Sequence, residues 1–499
     1  MENTLHPDRM TRQTPDRAQC YRALAARDTR FDGVFFTGVK TTGIYCRPVC
    51  TVKTPRESSC EFFTTAAAAE RAGFRPCLRC RPELAPYALQ QNLAYAVWQR
   101  IVAGALNDGD IEQLANEVGL SSRQLRRVLL QHFGVAPIEL AQTQRLLLAK
   151  KLLQETRLPM VNIAFAAGFG SVRRFNTLFA ARYGMAPTAL RRATLGEQDD
   201  TDAITLRLAY RPPFAWAEML GYFAGRAIPG VEAIDGEGNA AAYCRSVRIG
   251  ATQGWLRAVH LASKRQIQIA LAPSLAPVLM PLLSRARNQF DLDANPAMIH
   301  AHLMQDALLT PLAERMPGLR VPGAFDAFEL AVRAVLGQQV SVAGATTLSG
   351  RLTARFGDAA ATPFAAVTHH FPSAQALADA DIADIAQIGL PKTRAATIGN
   401  LARFAAHGGL EIKPGAALED AVAQLKTVAG IGDWTAHYIA LRALRFPDAF
   451  PAGDLGLQKA AARDHPDLTR LTEKQLALRA AAWSPWRGYA ALLLWHSPG

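Results

Sequence analysis

The sequence predicts a multidomain α+β protein, and three observations carry that expectation. Its 499 residues exceed what a single hydrophobic core usually organises, which points to two to four domains. Its charge is uneven: residues 1–195 hold 27 Lys+Arg and 15 Asp+Glu, a net of +12, whereas residues 196–499 hold 28 and 27, a net of +1. Its hydrophobic pattern also changes character along the chain. Residues 1–85 are turn-rich, with paired cysteines and many arginines; from 88 to 195 the apolar residues recur at helical period. Residues 203–285 show alternating runs, "ITLRLAY" and "RQIQIAL", between turn signals, and 286–499 is an Ala- and Leu-rich helical block. The expected order is a small cysteine-bearing domain, an all-α domain, a mixed α/β subdomain and a second all-α domain. The polar stretch "LRRATLGEQDDTD", 190–202, reads as a linker.

The basic excess in the first two fifths makes nucleic acid the expected partner. The opening "MENTLHPDRMTRQ" lacks the apolar segment of a secretion signal, and no window of about 18 residues is apolar enough to span a membrane. Seven cysteines, an odd number with four in close pairs, argue against a disulfide framework and for a reducing cytoplasm.

In the first domain "GIYCRPVC" places Cys46 and Cys50 on one turn, and "CLRC" places Cys77 and Cys80 on another, 27 residues past Cys50. Two short-spaced thiol pairs are what a tetrahedral zinc site needs, one ion per chain. Pro48, Pro76 and Pro82 mark turns rather than core elements, while Cys20, Cys60 and Cys244 read as buried apolar side chains. Spacing leaves open whether the zinc is a staple or holds a reactive sulfur. "FFTGVKTTGIYCRPVC", 35–50, and "AGFRPCLRCRPE", 72–83, resemble the N-terminal domain of the Ada alkylation-response family. That resemblance implies that Cys46 accepts a methyl group from a methylated DNA phosphate, with Cys50, Cys77 and Cys80 as the other ligands. Arg47, Lys40 and Lys53 are then candidates to place the phosphate.

The second domain holds an internal repeat. Residues 114–137 and 163–187 match, with Ala115, Gly119 and Ser122 against Ala164, Gly168 and Ser171 at an offset of 49. Phe133, Gly134 and Pro137 match Tyr183, Gly184 and Pro187 at an offset of 50. A glycine at a tight turn followed by serine caps (Ser121/Ser122 or Ser171) is the pattern of a helix-turn-helix. The second helix of each repeat would offer Arg123, Gln124, Arg126 and Arg127, then Val172, Arg173, Arg174 and Asn176, to a major groove. The tandem arrangement resembles the AraC-type DNA-binding module, with "LAQTQRLLLAKKLLQETRLP", 140–159, as the helix joining the halves.

In the last block, "LKTVAGIGDWTAHYIALRAL" sets Gly430 and Gly432 between two helical runs, a hairpin that can offer backbone N–H groups to a phosphate. Asp454 follows in "FPAGDLGLQKAA", 22 residues past Gly432. This pairing, with "FDAFELAVRAVLGQQVSVAGATTL", "IGLPKTRAATI" and "WSPWRGYAALLLWH", resembles the AlkA-type 3-methyladenine DNA glycosylases of the helix-hairpin-helix superfamily, and the block 203–285 fits the α/β subdomain that precedes them. The resemblance implies Asp454 as the catalytic carboxylate, Trp434, Tyr438 and Trp495 as the base pocket, and Gln339 at the position where relatives carry a leucine wedge. Trp483 and Trp486 read as core. No cysteine follows residue 460, so no iron–sulfur cluster is expected.

These resemblances imply an alkylation-response protein that takes methyl groups onto Cys46, activates promoters and hydrolytically excises alkylated bases. They imply double-stranded DNA and RNA polymerase as partners, a monomer, and a place in the bacterial cytoplasm at the nucleoid. The alternatives are a regulator with an inactive glycosylase-like domain and an enzyme whose N-terminal half is only a DNA clamp.

Overall fold

The computed structural model describes residues 16–86, 93–107, 109–194, 203–413, 415–464 and 468–497. The N-terminal stretch 1–13 and most of the expected linker, from 195 to 202, lie outside the described residues. By internal contacts the chain divides into two units. One comprises Met1–Arg211, Arg265–Ser284 and Lys413–Gly415, the other Pro212–Lys264, Arg285–Ile412 and Ala416–Gly499.

The first unit opens with the helix Arg17–Ala25, started by a capping box between Asp16 and Gln19. Four short strands follow: β1 Phe36–Val39, β2 Ile44–Cys46, β3 Cys60–Phe63 and β4 Arg75–Pro76. Their order is β3-β1-β2-β4, with β1 antiparallel to both neighbours and β4 parallel to β2. Phe36 and Tyr45 meet edge to face in the small core under this sheet. A Cβ at Gly38 would come within 2.9 Å of Phe63 and Phe74, so only glycine lets both rings close over β1. Cys20, Cys60 and Cys244 are buried, in keeping with apolar roles.

The helix pairs Ile111–Glu117 with Ser122–Phe133 and Met160–Ala166 with Val172–Tyr183 flank the long helix Pro137–Glu155. Each second helix buries one stripe at i, i+4 and i+8: Leu125, Leu129 and Phe133 in one, Phe175, Phe179 and Tyr183 in the other. Ser121 and Ser171 cap them, each accepting a hydrogen bond from the backbone three residues on. The caps therefore pair at an offset of 50, with Ser171 opposite Ser121 rather than Ser122. The change of offset lies in the turn, where "GFGS" carries one residue more than "GLS". Gly119 and Gly168 have φ of +69° and +81°, a turn that other residues would strain. Strand Ile204–Ala209 pairs antiparallel with Gln266–Leu271 in this same unit.

In the second unit Glu232–Asp235, Ala242–Ile249 and Thr252–Leu261 form an antiparallel meander. The rest is helical, around Ala327–Leu336, which is buried at every position from Phe328 to Leu336. Helices Leu418–Lys426 and Asp433–Arg442 form a hairpin, followed by Leu455–Ala460 and Arg487–Trp495. Trp483 is core, its Nε1 donating to Asp306 at 2.7 Å, and Trp486 packs edge to face on Tyr489. Among the described residues no helix is long and apolar enough to cross a membrane.

Candidate functional sites: a sulfur centre and a carboxylate among aromatic rings

Strand β2 ends at Cys46, Cys50 follows on its turn, and Cys77 and Cys80 lie on the turn after β4. The four Sγ atoms all lie within 4.8 Å of one another. Tetrahedral zinc with Zn–S near 2.3 Å sets sulfurs about 3.8 Å apart, so the donor set fits the ion. The backbone N–H groups of Arg47 and Cys80 donate to Cys80 Sγ (3.4 Å) and Cys77 Sγ (3.5 Å), which favours thiolate. Hydrogen bonds from Cys46 draw Cys50 down to about 7 and Cys77 below the ordinary thiol range. Hydrogen bonding within the cluster, to Cys50 first for Cys46 and to Cys46 first for Cys80, pushes these two up. Four like charges so close need a cation to coexist, and zinc supplies it. Cys46, Cys50 and Cys77 are buried; Cys80 is more open.

Two of the expected phosphate-placing side chains are otherwise engaged. Arg47 is buried, with Nε on Asp32 Oδ1 at 2.8 Å, Nη2 also on Asp32, and Nη1 on the Cys80 carbonyl at 3.2 Å. Its guanidinium braces the metal loop from inside and does not face a ligand. Lys40 pairs with Glu61 at 3.1 Å; Lys53 is exposed.

The sulfur module is welded to the helical repeats through buried charge. Glu70 accepts from Tyr45 Oη (3.0 Å), Thr143 Oγ1 (2.7 Å) and Arg182 Nη1 (2.9 Å). Lys150, fully buried on the long helix, meets Glu83 at 2.5 Å and donates to the Cys77 carbonyl at 3.4 Å. Arg81 bridges Glu83 and Glu155. On the two recognition helices Arg123, Arg126, Arg127, Arg173, Arg174 and Asn176 are all exposed. Residues 121–130 and 171–180 share one burial pattern, position for position.

In the second unit the hairpin delivers Trp434 and Tyr438 one turn apart on Asp433–Arg442, their rings stacked with centroids 5.3 Å apart and planes 9° apart. Trp495 meets Tyr438 edge to face at 6.4 Å. Asp454 caps Leu455–Ala460, its Oδ1 accepting from Leu457 N at 3.0 Å and Trp495 Nε1 at 3.1 Å; Oδ2 accepts from Trp434 Nε1 at 2.9 Å. Three N–H donors thus fix one carboxylate against two of the three expected pocket rings. Gly430 has φ +93°, and a Cβ there would lie 2.0 Å from Thr397 Oγ1. Gly432 is exposed with nothing near its missing Cβ, so the backbone N–H groups that follow are open to a close approach.

Gln339 sits exposed at the tip of its loop with φ +57°. Its neighbour Gln338 ties that loop to the hairpin, donating to the Gly430 carbonyl at 3.1 Å and Thr435 Oγ1 at 3.0 Å. Sequence reasoning missed Gln338, and also Tyr222 and Arg442. Arg442 Nη1 donates to Tyr438 Oη at 2.7 Å, and the Tyr222 and Tyr438 hydroxyls lie 3.3 Å apart. The i+4 spacing from Tyr438 was the available signal for Arg442; nothing local marked Tyr222.

Family models match the chain in four segments: the metal binding domain of Ada at 19–83, a helix-turn-helix domain at 114–193, the AlkA N-terminal domain at 205–326, and the HhH-GPD superfamily of base excision DNA repair proteins at 332–487. Fold and sites thus define a zinc-bearing DNA repair protein with a DNA-reading module of its own. A probable bifunctional transcriptional activator/DNA repair enzyme AlkA of Mycobacterium tuberculosis is 38% identical over 489 residues, 96% of each chain. DNA-3-methyladenine glycosylase 2 of Escherichia coli is 34% identical over 292 residues, 58% of this chain and 97% of that one. The solved 3-methyladenine DNA glycosylase of Archaeoglobus fulgidus shares the fold, with a TM-score of 0.50 at 20% identity over 58% of this chain and 96% of its own. The chain belongs to the family of bifunctional transcriptional activators and DNA repair enzymes that joins an Ada-type zinc module to an AlkA-type glycosylase.

Proposed function

We propose that the second unit is a monofunctional glycosylase that excises alkylated purines such as 3-methyladenine, with Asp454 as its catalytic carboxylate. The observation that carries this is the Asp454 carboxylate held by the indole N–H groups of Trp434 and Trp495, two rings that both pack on Tyr438. Alkylation at N3 or N7 makes the base a cation and a good leaving group. The C1′–N bond breaks with its electron pair going to the base, leaving an oxocarbenium-like sugar that the carboxylate stabilises. Water then adds to C1′ and releases a proton to solvent. The flipped base stacks on Trp434, Tyr438 and Trp495, while Gly430 and Gly432 present the hairpin to a DNA phosphate and Gln339 enters the gap in the duplex.

A lyase would need an amine to attack the sugar. Trp434 stands two residues past Gly432, where lyases of this superfamily carry their lysine, and Lys459 is exposed on the helix that Asp454 caps. Base release that leaves an intact abasic strand is the expected result. Asp454→Asn should slow release by at least ~100-fold, the scale of one lost transition-state contact. Borohydride trapping of a covalent DNA adduct, or near-normal release by that variant, would overturn the assignment.

The first unit has a second chemistry under the same proposal. Cys46 Sγ attacks the methyl carbon of a methylphosphotriester, the C–O bond breaks, and the phosphate leaves as a diester anion. Cys46, Cys50, Cys77 and Cys80 would hold the zinc, which would keep their sulfurs deprotonated. Methylation of one sulfur cuts the centre's formal charge from 2− to 1−, weakening its repulsion of the DNA backbone, so the recognition helices with Arg123, Arg126, Arg127, Arg173, Arg174 and Asn176 hold promoters more tightly. The protein then activates transcription through RNA polymerase, acting as a monomer in the bacterial cytoplasm at the nucleoid. Mass spectrometry after incubation with methylphosphotriester DNA should place the methyl on Cys46. A label on the more open Cys80 would refute the assignment of the acceptor.

A further inference from the structure

Next to Trp434, two phenols and two guanidinium groups form a cluster whose ionisable groups base excision as described does not use; only the ring of Tyr438 takes part in the stack. Tyr438 Oη receives Arg442 Nη1 at 2.7 Å and lies 3.3 Å from Tyr222 Oη. Arg442 is buried and pinned by its Nε on the Pro322 carbonyl at 2.6 Å, so it cannot swing away. Its guanidinium also lies 4.7 Å from the Tyr222 ring centroid, and that of Arg226 lies 3.9 Å from it. A cavity of about 30 Å³ is lined in part by Arg226, Arg333 and Arg442 against Glu232 and Glu329. Arg245 already occupies Glu329 at 2.7 Å. From the remaining side, Trp434 and Trp495 donate to Asp454, and His496 faces Tyr222 with its Nδ1 on the Leu492 carbonyl.

We propose that Tyr438 works as a phenolate, accepting hydrogen bonds from Arg442 and Tyr222, and that its negative charge selects cationic alkylated bases over neutral ones. This rests on the reading of the aromatic stack as the base pocket. A phenolate ring is a stronger partner for a stacked cation than a neutral phenol, and a neutral base gains little from it. The surrounding charge favours that state. Burial pushes the Tyr438 hydroxyl up, but Arg442, Arg226 and the hydrogen bonds from Tyr222 and Arg442 outweigh it and bring it to about 8. Burial raises Tyr222 to about 12, so it keeps its proton and serves as the donor. The phenolate is populated as pH rises through about 8, and selectivity for cations rises with it.

The test compares release of 3-methyladenine, a cation in DNA, with release of adenine, a purine that stays neutral throughout the range, across pH on the full-length protein. In the wild type the ratio of kcat/KM values should climb with pH with a midpoint near 8. Tyr438→Phe should flatten that profile and lower the ratio ~10-fold, the scale of one partly screened unit charge. Tyr222→Phe removes a donor to the phenolate and should move the midpoint upward. Ultraviolet difference titration should show one tyrosine ionising near 8 that Tyr438→Phe lacks. A flat wild-type ratio, a profile unchanged in Tyr438→Phe, or no tyrosine ionising below about 10 would overturn the proposal. If Asp454→Asn releases both bases normally, the fault lies instead with the glycosylase reading beneath it.

Discussion

At the sulfur centre of the first unit, four groups that repel one another when ionised are brought together. At the carboxylate of the second, three N–H donors converge on one acid. The first arrangement is self-opposing and closes only around a cation; the second is self-satisfying and needs no ion. Part of the folding free energy of the sulfur module is therefore metal-binding energy, whereas Asp454 is set by helix capping and indole geometry. Under the proposed function the chemistries would differ to match: a thioether formed on Cys46 would be a permanent change, whereas a carboxylate that only stabilises charge would be returned after every cycle.

The sharpest way to break this contrast is to remove the metal. Chelation or Cys77→Ala should cost the sulfur module about 10 kcal/mol, with loss of zinc by metal analysis and rapid proteolysis within 16–86. Base release should survive the same treatment; its collapse would mean that the carboxylate centre also depends on the ion. A smaller effect is expected from Lys150→Met, which leaves Glu83 buried with Arg81 alone. About 3 kcal/mol should be lost from the first unit in denaturant unfolding, again without change in base release. Trp495→Phe keeps a ring but takes one donor from Asp454, so kcat should fall ~10-fold, the lower end for a hydrogen bond to a charged group. Full activity in that variant would show that Trp434 and Leu457 suffice. The smallest effect belongs to Ser171→Ala, about 1 kcal/mol from a lost helix cap, read as a small drop in thermal stability with both centres unmoved.

What was legible in the sequence follows the same division. Cys46, Cys50, Cys77 and Cys80 announce themselves by spacing, because two short turns must each deliver two ligands. The recognition helices show in a repeat of glycine, serine and an apolar stripe, and the hairpin shows in Gly430 and Gly432. Each of these is local. The Tyr222–Tyr438–Arg442 cluster joins segments about 200 residues apart, and no spacing rule reaches that far. Residue type misled where burial reversed its meaning. Arg47 reads as a phosphate ligand beside a reactive cysteine, yet Asp32 draws it into the interior. Lys150 and Lys151 lie on the helix that joins the two repeats, and both are buried, Lys150 against Glu83 and Lys151 on the Arg207 carbonyl. A lysine in an apolar helix cannot be assigned until its carboxylate partner, here 67 positions earlier in the chain, is known.

The buried carboxylates Glu70 and Glu83 have a consequence for anyone building chimaeras. Transplanting residues 16–86 onto another tandem helix-turn-helix would strand both acids unless the recipient offered a hydroxyl at the place of Thr143 and cations at those of Lys150 and Arg182. The seam that a domain diagram draws after residue 86 is therefore a poor place to cut. The exchangeable part is the sulfur module together with the long helix and the end of the second recognition helix, inherited as one block.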